Sequence, residues 1–254
     1  MTNLNFLHEP ALLQTLQVRF QQDLIYTYSG IVLVSVNPFK SLPYLYDAST
    51  LELYRGQQLG QLDPHLFAVA EESYQCLCRT LQSQSIIISG ESGAGKTVSA
   101  KFVMRYLAIS CGTDVKQSSG NVEDQILASN PILEAFGNSK TTRNDNSSRF
   151  GKFMQLQLSE KKVISGAVIR TYLLEKSRIV THASQERNYH IFYQLLEGLD
   201  SNKKEAWKLT NCGDYRYTNQ GITFFPSKIM TLYTNKGVAH VPDVDDNKDF
   251  LSVA

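Results

Sequence analysis

"GESGAGKTVSAKF", residues 90–102, is the stretch that decides the reading of this chain. Its first eight residues fit G-x-x-x-x-G-K-[ST], filled here by Gly90, Glu91, Ser92, Gly93, Ala94, Gly95, Lys96 and Thr97. Glycines let successive backbone N–H groups turn toward one anion, and a helix opening at the lysine adds its positive end. In such a loop the lysine reaches the β- and γ-phosphates and the threonine hydroxyl ligates Mg²⁺. A chance match somewhere in a chain of this size is roughly one in a hundred at ordinary residue usage. The flanks lower those odds. "SIIIS", residues 85–89, predicts an apolar strand running into the glycines. Residues 96–108 predict a helix leading away, with Val103, Met104 and Leu107 on one face.

The rest of the chain agrees with a globular nucleotide-binding fold. Of 254 residues, 42% are apolar and 19% charged, which excludes a disordered or membrane-embedded composition. The net charge of +1 gives no bulk field toward nucleic acid or anionic lipid. No apolar stretch follows Met1 and none is long enough to span a bilayer, so the sequence reads as cytoplasmic, without direct membrane insertion. Cys76, Cys78, Cys111 and Cys212 lack metal-ligand spacing and read as free thiols.

Glu9-Pro10 opens a helical pattern carried by Leu12, Leu13, Leu16 and Phe20. "IVLVSV", 31–36, predicts a largely buried strand, and a helix follows Asp63-Pro64. Residues 111–121 read as a polar Gly/Ser loop. Residues 122–136 predict a helix bent or broken at Asn130-Pro131. Two alternating stretches around Glu160-Lys161-Lys162 predict a hairpin with Met154, Leu156 and Leu158 on one face. "ERNYHIFYQLLEG", 186–198, predicts an amphipathic helix. Strands and helices alternate, so the fold class is α/β: a P-loop NTPase with a central mixed twisted sheet flanked by helices. On the loop alone, kinase, GTPase, transporter ATPase and motor all stay open.

Downstream lies "TTRNDNSSRFGKF", 141–153, a dense cluster of short donors and acceptors just before a strand. In isolation it reads as a polar turn. Beside a phosphate loop it reads as a switch that senses the γ-phosphate and completes the Mg²⁺ shell. Here the sequence resembles the myosin motor head. "GESGAGKT" is similar to the family's P-loop, "NDNSSRFGKF" to its switch I and "NPFK", 37–40, to its purine-side loop. "RFQQDLIYTYSG", "NPILEAFGNSKTTRNDNSSRFGKF" and "YLLEKSR" with "ERNYHIFYQLL" extend the resemblance across roughly residues 4–198, with a weaker echo at "VDDNKDF". Kinesin switches share the paired serines and arginine but not the Phe-Gly-Lys that follows Arg149 here. "GKTVSAKFVMRY" and "DPHLFAVAEESY" are most similar to class V members, the cargo transporters.

The resemblance implies ATP and Mg²⁺ as cofactors and residue roles to match. Lys96 and the loop amides hold phosphate, Thr97 and Ser148 ligate the metal, and Asn144 bonds phosphate from the switch side. Ser147 stands nearest the attacking water, and Arg149 pairs with a glutamate of switch II. Asn37, Pro38 and Lys40 flank adenine and ribose. The family's purine-loop tyrosine falls at Leu45 here, so Tyr44 and Tyr46 both remain candidates for the base. Glu186, Arg187, Asn188 and His190 read as capping and packing residues.

The sequence holds no D-I-x-G-F-E switch II motif, which leaves Arg149 without a visible partner. Residues 1–254 therefore read as the N-terminal part of a motor domain, with the upper actin-side subdomain beginning after about residue 200. The expected parent is an actin-activated ATPase on the actin cytoskeleton, with calmodulin-like light chains and cargo adaptors. The expected isolated chain is an incomplete ATPase. Two other classes compete with that reading: a non-motor nucleotide-binding or regulatory module, and an unrelated P-loop kinase.

Overall fold

The computed structural model describes residues 1–2, 4, 6–111 and 122–220. The expectations for 112–121 and for "VDDNKDF" lie outside the described residues. The chain divides into two compact units. One comprises Met1–Glu123 with Leu156–Gly166, the other Asp124–Gln155 with the chain from Ala167 onward.

The first unit opens with α1, Glu9–Gln21, whose Pro10 sits in the first turn and whose His8 side chain caps Ala11 N–H. Its sequence period is helical, yet no residue of α1 is buried, and Leu13 stays largely exposed. The antiparallel pair β1 (Tyr26–Ser29) and β2 (Val32–Ser35) follows, in register Tyr26 to Ser35 and Ser29 to Val32. Burial falls on β1; Ile31 and Val32 are exposed, so the expected buried strand at 31–36 is corrected to a short edge strand with one partner. α2 (Ala48–Tyr54) is capped by Asp47, whose carboxylate accepts from Thr50 N–H.

α3 (Leu66–Thr80) and α4 (Lys96–Cys111) pack together over Phe67, Ala70, Val103 and Tyr106. α3 begins just past Asp63-Pro64 because the His65 ring nitrogen Nδ1 accepts from Phe67 N–H at 3.0 Å. The buried Glu71 carboxylate accepts from Tyr106 Oη, Gly56 N–H and Gln75 Nε2 at 2.8–2.9 Å, which ties α4, the end of α2 and α3 to one anion. A buried charge with three donors is stable where an unpaired one is not.

Residues 85–89 do not form the expected strand. They have no ladder partner among the described residues, and Ile87 is almost fully exposed. An apolar β-branched run acquires strand structure only through neighbours that pair with it.

The second unit begins within α5, Val122–Gly137, which is one helix through Pro131, so of the expected bend or break, the break does not occur. Two-residue strands β3 (Asn138–Ser139) and β4 (Ser147–Ser148) pair antiparallel, Asn138 with Ser148 and Ser139 with Ser147. The hairpin of β5 (Gly151–Leu158) and β6 (Ile164–Tyr172) forms as expected, closed by Ser159 N–H on Val163 O at 2.8 Å. Met154, Leu156 and Leu158 alternate with exposed Phe153, Gln155 and Gln157. The tip of the hairpin belongs to the first unit, and there Leu156, Leu158 and Ile164 pack with Ala108 and Cys111. Beyond it come α6 (Ser177–Val180), α7 (His190–Gly198) and α8 (Ser201–Ala206). α7 starts at His190 rather than 186, because Glu186, Arg187 and Asn188 are drawn into side-chain and bridge contacts instead of helix. No helix among the described residues is long and apolar enough to cross a membrane.

Candidate functional site

The loop at 90–97 is built by its glycines. Gly90, Gly93 and Gly95 have φ of 157°, 82° and 91°, a region open to glycine and strained for L side chains. A Cβ added at Gly90 would meet Ala94 Cβ at 3.2 Å, so the turn is also too tight there for a side chain. Glu91 O accepts from Ala94 N–H and Gly95 O from Ser99 N–H, closing the loop onto the first turn of α4. The Lys96 ammonium lies across the loop and donates to Gly90 O at 2.7 Å and Glu91 O at 2.8 Å. Thr97 follows as the second residue of α4. The arrangement is a cation and a helix N-terminus gathered around a glycine turn, which is the chemistry a polyphosphate requires.

The 37–40 loop, expected on the purine side, meets this turn at Asn37. Asn37 Nδ2 donates to Gly93 O at 2.7 Å, while its Oδ1 accepts from Phe39 N–H and fixes the bend after Pro38. Lys40 is occupied elsewhere, in an ion pair with Asp23 at 2.6 Å. The two candidate tyrosines separate clearly. Tyr46 is stacked on Phe102 with centroids 3.6 Å apart, and its hydroxyl shares a 2.6 Å hydrogen bond with that of Tyr26. Tyr44 is 53% exposed.

In the second unit Asn144 lies in the loop between β3 and β4, Ser147 and Ser148 form β4, and Arg149 follows directly. Thr141 and Asn144 exchange backbone hydrogen bonds, making a tight turn. Asn144 Oδ1 accepts from Asn146 N–H at 3.0 Å, which leaves its amide nitrogen available as a donor. Ser147 is buried and accepts from Arg149 Nη1 at 3.2 Å, whereas Ser148 is exposed. Lys140 pairs with Asp145 across the same turn.

Arg149 does have a partner, contrary to the expectation from the missing glutamate motif. Its Nε donates to Glu175 Oε2 at 2.7 Å. The same oxygen accepts from Arg178 Nε at 2.8 Å, and Arg178 Nη2 pairs with Glu186 Oε2 at 2.9 Å. Burial raises the Glu175 carboxyl, but the hydrogen bonds from Arg149 and Arg178 outweigh it and hold the group below the usual range. Burial likewise works against the Arg178 charge, and Glu175 and Glu186 more than restore it. Glu175 is the residue that sequence reading passed over. Its signal was a carboxylate three positions before Arg178, just after an alternating strand.

Two units thus carry two polar loops, one shaped by its backbone around a lysine and the other dense in side-chain donors next to a chain of ion pairs centred on buried Arg178. Over the whole of this layout, residues 1–253 match the family model described as "Myosin head (motor domain)". The chain belongs to the myosin head family. It is 54% identical over 222 residues to human unconventional myosin-Va, covering 87% of this chain and 12% of that protein. Human unconventional myosin-Vb is 50% identical over 251 residues, 98% of this chain and 13% of that protein. Myosin-2 of Lachancea kluyveri is 48% identical over 255 residues, 98% of this chain and 15% of that protein. The chain therefore spans about one-seventh of the length of these myosins.

Within a myosin head the donor set fits Mg²⁺ and a nucleotide. Among the described residues no cluster of three or more His, Cys, Asp or Glu is placed to hold a metal. Thr97 and Ser148 offer hydroxyl oxygens, and a hard cation that keeps water and phosphate oxygens needs few protein ligands. Glu186, Arg187 and Asn188 serve structure, as expected. Asn188 Nδ2 ties Ile179 O to Tyr217 O, and the Arg187 guanidinium lies 3.7 Å over the Tyr193 ring.

Proposed function

We propose that this chain is the ATP-binding part of an actin-activated myosin motor, of the class V cargo-transporting type, that couples Mg-ATP hydrolysis to movement along actin. The observation that supports it best is the 90–97 turn, which brings together three left-handed glycines, the Lys96 ammonium and the start of α4. In this reading Lys96 leaves the carbonyls of Gly90 and Glu91 for the β- and γ-phosphates, and the freed turn amides bind the same anion. Thr97 and Ser148 hold Mg²⁺, which supplies charge neutralisation on the phosphate oxygens. Asn144 donates to phosphate through its side-chain amide, and Ser147 stands by the attacking water. Arg149 restrains the switch through Glu175.

Asn37 braces the purine side against Gly93 O, with Pro38 and Lys40 beside it. Tyr44, exposed and free of the aromatic core, is the tyrosine that meets the base. In the whole motor head, residues 85–89 would be one strand of a central mixed twisted sheet flanked by helices. Actin, calmodulin-like light chains and cargo adaptors are the partners of the whole protein, which works at the cytoplasmic actin cytoskeleton.

The test is binding of a fluorescent ATP analogue (mant-ATP) to the chain with and without Mg²⁺. Lys96→Ala is expected to weaken binding about 10- to 100-fold, the scale of a charge-assisted hydrogen bond to phosphate. Equal affinity of wild type and Lys96→Ala would sink the reading.

A further inference from the structure

Asn146 lies between the residues assigned to phosphate and to metal, and three elements converge on its side chain. Its Oδ1 accepts from Asn138 Nδ2 at 2.9 Å and from His190 Nε2 at 3.2 Å. Its Nδ2 donates to Glu134 Oε2 at 3.3 Å. Its backbone N–H donates to Asn144 Oδ1 at 3.0 Å. Asn138 at the start of β3 and His190 at the start of α7 are 2% and 4% exposed, although Asn146 itself reaches the surface.

Two buried donors aimed at one exposed asparagine are more than helix capping demands. The α7 N-cap is Tyr189, and no side chain caps it. We propose that Asn138 and His190 are positioning residues: they fix Asn146, and through its backbone N–H they aim the Asn144 amide at the nucleotide phosphate. This inference rests on reading 144–149 as the nucleotide-sensing switch.

The protonation state of His190 suits the role. Burial pushes the imidazole down to about 4, Arg187 adds to that and Asp145 opposes it, so the ring is neutral at pH 7 and carries one N–H. Its Nδ1 has no hydrogen-bond partner among the described residues, which places the single proton on Nε2, against Asn146 Oδ1. Losing that donor leaves the Asn146 carbonyl with Asn138 alone and gives the switch turn freedom to rotate.

The direct test is amide hydrogen exchange on the chain, read separately for 144–148 and for α7. His190→Phe keeps a ring and removes the donor; His190→Gln returns an N–H at similar reach. Exchange in 144–148 is expected to accelerate about tenfold in His190→Phe and in Asn146→Ala, the scale of one lost hydrogen bond, and to return to within twofold in His190→Gln. Acceleration spread through α7, no acceleration in the loop, or failure of His190→Gln to restore it would each overturn the proposal.

Binding of mant-ATP with Mg²⁺ gives the second arm, with an expected loss of about five- to tenfold in His190→Phe, restored in His190→Gln. If Lys96→Ala loses binding while His190→Phe keeps it, the nucleotide reading stands and the positioning role falls. If Lys96→Ala binds like wild type, the nucleotide reading falls, and hydrogen exchange alone decides whether the Asn138–His190 clamp orders the loop.

Discussion

The loop at 90–97 takes its shape from backbone conformation, whereas the loop at 144–149 takes its shape from side chains. In the first, three glycines adopt left-handed angles, the lysine rests on the loop's own carbonyls, and Asn37 braces it from outside. In the second, Asn146 is held from three elements, Ser147 is buried, and Arg149 joins Glu175, Arg178 and Glu186 in one chain of charges. A backbone-built loop carries its instructions locally and tolerates solvent. A side-chain-built loop depends on residues distant in sequence, and it concentrates stability where the buried charges meet.

That contrast gives its largest expected effect at Arg178, which is 3% exposed and donates to Glu175, to Glu186 and to Arg187 O. Removing one partner of a fully buried ion pair typically costs about 3–5 kcal/mol. Here the Glu175 and Glu186 side chains are 33% and 16% exposed and Glu175 keeps Arg149, so the low end of that range applies. Arg178→Ala is expected to lose that much in urea unfolding at pH 7, and Lys96→Ala about 0.5 kcal/mol or less, as for a side chain resting on exposed carbonyls. Similar losses in the two variants would erase the distinction between the loops.

The same contrast explains what the sequence made legible. The phosphate loop could be read whole, because eight contiguous residues specify both its turn and its helix start. The switch residues could be read only through resemblance, since Asn138, Glu175 and His190 are brought to them by folding rather than by spacing. Periodicity placed α3, α4 and the β5–β6 hairpin but failed for 85–89 and 31–36. Apolar content marks a strand that can be buried, and only pairing partners make it one. Tyr44 and Tyr46 were indistinguishable by sequence and are separated by the Phe102 stack that claims Tyr46.

A smaller effect is expected from acid, and it should act in both units. His65 is buried among Tyr26, Tyr54 and Phe67, with ring centroids 4.5–5.1 Å away, and burial pushes it down to about 4. His190 is pushed to about 4 as well. A histidine held neutral in the folded state contributes fully above its unfolded pKa near 6.5, and that contribution is lost as pH falls toward 4. Each ring accounts for about 3 kcal/mol over that window. His65→Phe is expected to remove roughly half of the decline measured between pH 6.5 and 4.5. An unchanged slope would show that the aromatic cage does not hold His65 neutral.

The smallest effect separates two glycines, one from each unit. Gly95 has φ of 91° and open space where a Cβ would stand, so alanine there meets only backbone strain, about 1 kcal/mol. A Cβ at Gly137, the last residue of α5, would lie 2.3 Å from the Phe150 ring and would have to displace it. Overpacking of that kind costs about 1–3 kcal/mol. Gly137→Ala is therefore expected to lower the unfolding midpoint more than Gly95→Ala, while Gly95→Ala disturbs mant-ATP binding more, because the left-handed turn is the proposed phosphate cradle. The reverse order in stability would mean that the 90–97 turn is held by packing, and the division between a backbone-built and a side-chain-built loop would fail at its simplest point.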